Sequence, residues 1–320
     1  MSHSLRTGGG QRQTWTDLPL GTRARVEARL GAPVGRADSQ PGGFSPGVAS
    51  RLTTITGETV FLKAVSPVPN PDSPRFHRQE ALVAAQLPVA APVPRLRWSL
   101  DEGPDGWVVL VFDAVDGRMP ALPWDNAELS LVLAAVDSLA ETLTPSPVPE
   151  TVVGRVAETG LFRQRYWASL RSDPPPALDA WSRRHLEALV TLETDIAEAT
   201  AGNSLVHMDL RADNLLVTER GVVVVDWPCA RIGAPWLDLI CLAPSVAMQG
   251  GPLPEALFAR SAVGRAAAPN ALRSAVVGIA GFFTAMSLLP PVPGLPALRQ
   301  FQADQGAIAR DWLGRLAGLD

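Results

Sequence analysis

Lysine is almost missing from this chain: of 28 basic residues, 27 are arginine and one, Lys63, is lysine. Such a bias makes the exception informative. Arginine presents a wide planar fork, whereas lysine is a compact point charge that enters a narrow slot between phosphate oxygens. Cysteine is nearly as scarce. Cys229 and Cys241 are too few to staple 320 residues and lie in neither a CxxC nor a paired Cys/His spacing, which excludes a disulfide framework and a structural zinc site. They read as reduced core thiols. A basic stripe is also lacking, and a net charge of −4 with a pI near 5.6 argues against a nucleic-acid partner held through its phosphates. The longest apolar run, about Ala275 to Leu289, is Ala/Gly-rich and interrupted by Thr284 and Ser287, and falls short of the roughly 18–20 residues of a membrane span. No apolar run follows the first arginines, so residues 1–14 read as a short mobile N-terminal tail and not as a secretory signal. No membrane partner is expected, and the location expected is the cytoplasm.

What is present is a globular chain, 46% hydrophobic, with apolar surface for one or two cores. Charge is unevenly divided. Residues 1–115 carry 12 basic and 10 acidic side chains (+2), and residues 116–320 carry 16 and 22 (−6). LGTRARVEARL at 20–30 predicts a helix stopped by Gly31 and Pro33. After the Gly/Pro-rich break at 40–47, β-branched runs at 48–55 and 59–65 around Gly57-Glu58 predict a hairpin. Lys63 stands on its second strand, on the face of Phe61 and Val65, so it leaves an otherwise apolar strand and needs an anion or a carboxylate partner. A helix follows over 75–87, with Phe76, Leu82, Val83 and Leu87 as its inward stripe and Glu80 either turned inward or solvated. Strands at 95–100 and 107–112 complete a small sheet. Beyond the polar connector 113–120 the apolar period lengthens from two to about 3.6 residues, which places a domain boundary near residue 115. Helices are predicted over 126–143, 161–170, 178–200, 236–246, 254–261, 270–288 and 296–316.

Three chemistries compete. Gly43-Phe44-Ser45-Pro46-Gly47 matches the G-x-S-x-G elbow of the α/β-hydrolases, but a strand and not a helix follows, and Pro46 has no N–H for an oxyanion. A P-loop is excluded because the only lysine is not preceded by the glycine pattern GxxxxGK[ST]. The third takes its parts in order: a Gly-rich turn (Gly43, Ser45, Gly47), the strand lysine Lys63, the helix glutamate Glu80, then HMDLRADN at 207–214, and Asp226 closing VVVVDW.

HMDLRADN and VVVVDW resemble the catalytic and metal loops of the aminoglycoside phosphotransferase and choline kinase-like family, the small-molecule branch of the protein-kinase-like fold. The resemblance spans about residues 30–245. It implies an α+β, two-lobe protein-kinase-like fold: a nucleotide-binding lobe at 15–115 with a small antiparallel sheet, and a mostly helical lobe at 116–320 carrying the catalytic and acceptor site. It implies ATP, with GTP as the alternative, and Mg²⁺. Lys63 would hold the phosphates and pair with Glu80, Gly43, Ser45 and Gly47 would cover the phosphates, and the connector at Phe112, Asp113 and Val115 would take the adenine. Asp209 would accept the acceptor's proton, Arg211 would reach the γ-phosphate unless it is a surface arginine, and Asn214 and Asp226 would hold the metal. His207 would brace the loop. Asp238 would support it or cap a helix, and Trp227 and Trp236 would edge the acceptor cleft or join the core. Asp-Trp-Pro stands where protein kinases have Asp-Phe-Gly, and Met208 where regulated ones have arginine. No Ala-Pro-Glu segment follows, so protein-kinase activity is not expected. The expected reaction is transfer of a γ-phosphate to a hydroxyl of a small molecule by a monomer or homodimer. The acidic second half favours a cationic acceptor such as an aminoglycoside, with an amino-alcohol or sugar kinase, or a silent ligand-binding member, as alternatives.

Overall fold

The computed structural model describes residues 12–40, 47–68, 70–292 and 296–319. Five strands, β1 (Val34–Ser39), β2 (Val48–Thr54), β3 (Thr59–Val65), β4 (Leu96–Asp101) and β5 (Val108–Asp113), form an antiparallel sheet in the order β1-β2-β3-β5-β4. Because successive strand residues face opposite sides, the sheet carries two different surfaces. Leu52, Val60, Leu62, Ala64, Val109 and Val111 pack on one side with Trp15, Leu18 and Val26, the last from helix α1 (Leu20–Leu30). Val65, Val108, Leu110 and Phe112 pack on the other with Ala84 from α2 (Ser73–Ala84). Lys63 lies on this second side, in register with Ala49 on β2 and Leu110 on β5. The face pattern expected for residues 60–65 is therefore the one observed.

The inward face of α2 differs from the expected stripe. Phe76 is 38% exposed and Leu82 53%, whereas His77, Glu80, Val83 and Ala84 are buried. Apolar phasing misplaced the helix because two of its inward positions are polar. The Arg75 guanidinium stands 4.6 Å from the centre of the exposed Phe76 ring. The first strand, VGRADS, was also not predicted as such. It is an edge strand with almost no buried side chain, and it lacks the alternation that marks a half-buried strand.

From Asn126 onward the chain is mostly helical: α3 (Asn126–Thr142), α4 (Glu150–Val153), α5 (Tyr166–Ser172), α6 (Ala180–Leu192) and α7 (Ile196–Ala199) precede the catalytic segment. After it come α8 (Leu237–Met248), α9 (Pro254–Arg260), α10 (Ala262–Ala266), α11 (Pro269–Ser287) and α12 (Leu298–Ala317). The long helix expected over 178–200 is broken into α6, one 3₁₀ turn and α7, with Glu193 at the break accepting the Trp167 and Ala168 amides. Helix α8 is apolar on nearly every face and is buried along most of its length, the sign of a helix at the centre of a core. No described helix is long and apolar enough to cross a membrane.

Four short strands sit between the two helical runs. β6 (Ser204–Val206) pairs with β9 (Arg231–Gly233), and β7 (Leu215–Thr218) with β8 (Gly221–Val224). The connector is tied to this region by Arg118 and Val217, which exchange both backbone hydrogen bonds at 3.1 and 2.7 Å. Gln79 of α2 donates to the Val152 carbonyl of α4 at 2.9 Å. The sheet's second side thus overhangs the β7–β8 hairpin.

Candidate active site

The antiparallel β7–β8 register pairs Leu215 with Val224, and the next bond outward runs from Val225 N–H to the Asn214 carbonyl at 3.0 Å. Asn214 and Asp226 are therefore brought side by side although twelve residues apart. Asp209 joins them through Asn214, whose Nδ2 donates to the Asp209 carbonyl at 2.8 Å and lies 3.4 Å from its Oδ2. Lys63 reaches down from β3 between two carboxylates. Its Nζ is 2.7 Å from Glu80 Oε1 and 2.6 Å from Asp226 Oδ1. Glu80 is thus a buried ion-pair partner and not a solvated helix residue.

The charges are set by these neighbours. Burial opposes charge on Lys63, but Asp226 and Glu80 outweigh it and raise the ammonium above its ordinary value. Burial likewise opposes ionisation of Asp226, yet Lys63 holds that carboxyl at about 2. Glu80, sealed from water, is pushed up by burial against the pull of Lys63. Asp209 is also raised by burial, opposed by Arg211 and His207, which suits a carboxylate that must take a proton. Cys229 is pushed up to about 12 by burial, with Asp209 and Asp226 adding to it. Its thiol stays protonated and is not a nucleophile at neutral pH.

The loop carrying Asp209 is held from behind. Asp238, in the first turn of α8, accepts the His207 amide at 3.1 Å and the Met208 amide at 2.9 Å, so its role is support of the loop, not capping of its own helix. His207 braces the same segment: Nδ1 accepts the Asp209 amide at 3.2 Å, and Nε2 donates to the Val225 carbonyl at 3.0 Å. Met208 and Asp226 both have left-handed backbones, φ 65° and 73°, a conformation costing side-chain-bearing residues on the order of 1–3 kcal/mol when the surroundings enforce it. Replacing Asp238 by alanine is expected to leave two buried amides unpaired, at on the order of 1–3 kcal/mol each, and to lower kcat more than nucleotide affinity. Urea denaturation and steady-state kinetics check this; a variant with native stability and turnover would refute the supporting role.

Arg211 is not a surface arginine. It makes bonds of 3.1 and 2.9 Å to Asp213, its Nε lies 3.8 Å from Asp209 Oδ1, and its guanidinium sits 5.5 Å from the Phe301 ring centre. Trp227 and Trp236 are both buried in the core. Trp227 also lines the cleft and packs edge-on to His207.

Part of this set faces a cleft of about 330 Å³, whose lining does not include Asp209 or Arg211. Gly47, Lys63, Glu80, Phe112, Asp113, Val115, Asn214 and Asp226 all line it; Gly43 and Ser45 lie outside the described residues. At Gly47 a Cβ would stand 2.3 Å from the Ala64 carbonyl oxygen, so the backbone entering β2 presses directly on β3. The donor set fits a hard cation. Asn214 spends its NH₂ on Asp209 and leaves its amide oxygen without a described donor, and Asp226 has one oxygen beyond the one bound to Lys63. No group of three or more His, Cys, Asp or Glu gathers among the described residues, and Mg²⁺ needs none, because it is held by one or two carboxylates plus waters and substrate phosphates.

An antiparallel sheet with one ion-paired helix, set over a helical lobe with Asp209, Asn214 and Asp226 at the junction, defines the protein-kinase-like fold. Within that class the chain belongs to the phosphotransferase enzyme family, whose model matches residues 41–273. None of the curated proteins matches it in sequence. Among solved structures it resembles the GDP complex of wild-type aminoglycoside 2'-phosphotransferase-IIIa (TM-score 0.61, 14% identity, covering 93% of this chain and 97% of that one). It also resembles the choline kinase LicA from Streptococcus pneumoniae (0.58, 13%, 93% and 98%) and amicoumacin kinase hAmiN with AMP-PNP, Ca²⁺ and Ami (0.54, 12%, 90% and 93%). At these identities the likeness is one of fold.

Proposed function

We propose that the chain transfers the γ-phosphate of ATP, with GTP as the alternative donor, to a hydroxyl of a small molecule. The observation that carries this reading is Lys63 bridging Glu80 and Asp226 on the wall of a cleft that Asn214 also lines. In this reading Lys63 meets the donor phosphates, and the connector at Phe112, Asp113 and Val115 receives the base. Asn214 and Asp226 hold Mg²⁺, which when bound offsets charge on the phosphate oxygens. Asp209 takes the hydroxyl proton as the acceptor oxygen bonds to the γ-phosphorus. The bond from that phosphorus to the bridging oxygen breaks, and the nucleoside diphosphate leaves. Arg211 holds Asp209 in place and balances its charge.

The acidic balance of residues 116–320, 22 acidic against 16 basic side chains, supports an amino-bearing acceptor such as an aminoglycoside or related antibiotic, and hence a resistance role. The test is incubation with Mg²⁺ and ATP or GTP against aminoglycosides, a macrolide, choline and an amino sugar, followed by mass spectrometry of each acceptor. Phosphorylation of an aminoglycoside is the expected result. Turnover of choline or a sugar alone would make it a metabolite kinase, and nucleotide binding without any product would reduce it to a silent binding protein.

A further inference from the structure

Four cationic side chains of the described residues line the cleft, and three of them are already paired: Lys63 with Glu80 and Asp226, Arg51 with Asp116 at 2.6 Å, and Arg118 with Glu128. The fourth is Arg12, which makes no ion pair within 4 Å among the described residues. Its Nε is buried without a hydrogen-bond partner. A guanidinium taken out of water and left unpaired is costly, and it is the fork-shaped donor that matches phosphate oxygens two at a time. Burial lowers its pKa while the fields of Asp226 and Asp213 oppose that, so the group lies within reach of both carboxylates. His77, the other basic ring in the cleft, is held neutral, lowered to about 4 by burial and by Lys63.

The chain anchors Arg12 close by. The Thr14 amide and hydroxyl both donate to Asp17, at 2.7 and 2.8 Å, and Trp15 and Leu18 are buried against the sheet and α1. Arg12 is two residues from this fixed turn, so the segment before α1 delivers the side chain to the cleft.

Resting on the reading of this cleft as a nucleotide site, we propose that Arg12 is a phosphate-binding residue for the nucleoside triphosphate, a second cation beside Lys63 and the cleft-lining one without an ion pair within 4 Å among the described residues. The test is calorimetric binding of Mg·ATP, Mg·GTP and, as a phosphate-free probe, adenosine to the wild type and to Arg12→Gln and Arg12→Lys. Arg12→Gln is expected to weaken triphosphate binding by about tenfold or more, the scale of a lost charged hydrogen bond, with adenosine unaffected and Arg12→Lys recovering part of the loss. Unchanged or tighter triphosphate binding in Arg12→Gln would overturn the assignment and mark Arg12 as a plug that the nucleotide displaces. An equal loss for adenosine would overturn it in favour of a structural role. A wild type that binds no nucleotide would overturn the functional reading itself, and Arg12's role with it.

Discussion

Asp209→Asn is expected to lower kcat by about 10²–10⁴-fold, the contribution of a positioned general base, while nucleotide affinity stays close to that of the wild type. The separation follows from geometry. Asp209 is not among the residues that line the cleft and its side chain is 38% exposed, whereas Lys63, Asn214 and Asp226, the groups proposed to meet the nucleotide, all line it. Asparagine keeps the size and the backbone carbonyl to which Asn214 donates, and removes the ability to take a proton together with the charge that faces Arg211. A pH profile adds a second readout. Burial raises the Asp209 carboxyl above its ordinary value, so turnover in the wild type should fall on acidification at a pH above the roughly 3.9 of a free aspartate, because the protonated acid cannot serve as base. That acidic limb should vanish from the residual activity of Asp209→Asn. Turnover within a few-fold of the wild type, measured by coupled assay or phosphate transfer to the accepted substrate, would remove Asp209 from the base role.

The catalytic strand pair is legible in the sequence because its chemistry and its folding signal coincide. Four valines end at Asp226, a polar loop carries Asp209 and Asn214, and the hairpin register between them sets Asn214 beside Asp226. Lys63 is legible for a compositional reason that few chains offer. Glu80 is legible only in part, since helix phasing by apolar residues put Phe76 and Leu82 inward, while the buried face is built from His77 and Glu80 with Val83 and Ala84. A functional helix breaks the binary pattern at the point where it contributes to the site. Asp238 could be suspected, yet the two backbone amides that donate to it lie some thirty residues upstream, a long-range contact that periodicity does not encode. Arg12 escaped altogether. It sits among polar and glycine-rich residues at the N-terminal end, where local pattern reads as tail, and only the anchoring of Trp15 and Leu18 against the sheet carries it to the cleft. The edge strand β1 was obscured because an edge with no buried face shows no alternation.

Lys63→Met should damage both activity and stability, and a second substitution tells the two apart. Among the described residues Lys63 is the one counter-charge bonded to Glu80, which is 2% exposed. Breaking a buried pair from one side leaves an uncompensated charge and costs about 3–5 kcal/mol, so urea denaturation at neutral pH should show a loss of that order. Adding Glu80→Gln removes the stranded carboxylate, and Lys63→Met/Glu80→Gln should regain part of the loss, giving a strongly non-additive cycle. The sign of the pH dependence is fixed by Asp226. Its folded-state carboxyl is depressed to about 2, so in the wild type the pairing contributes stability that is present above about pH 4, the unfolded value, and is lost as pH falls through about 2. In Lys63→Met burial acts on Asp226 with its strongest opponent gone and only the weaker fields of His207 and His77 against it, so this acid-range loss should shrink, flattening the stability curve between those limits. Catalysis should not return with the double variant. Glutamine repairs the buried charge but supplies no cation for the phosphates, and loss of one such preorganised group costs about 10²–10³-fold. A Lys63→Met protein as stable as the wild type, or a double variant whose losses simply add, would show that Lys63 and Glu80 are not coupled in the folded chain. A double variant that regained turnover together with stability would assign Lys63 to the scaffold and leave the phosphates to other cations of the cleft.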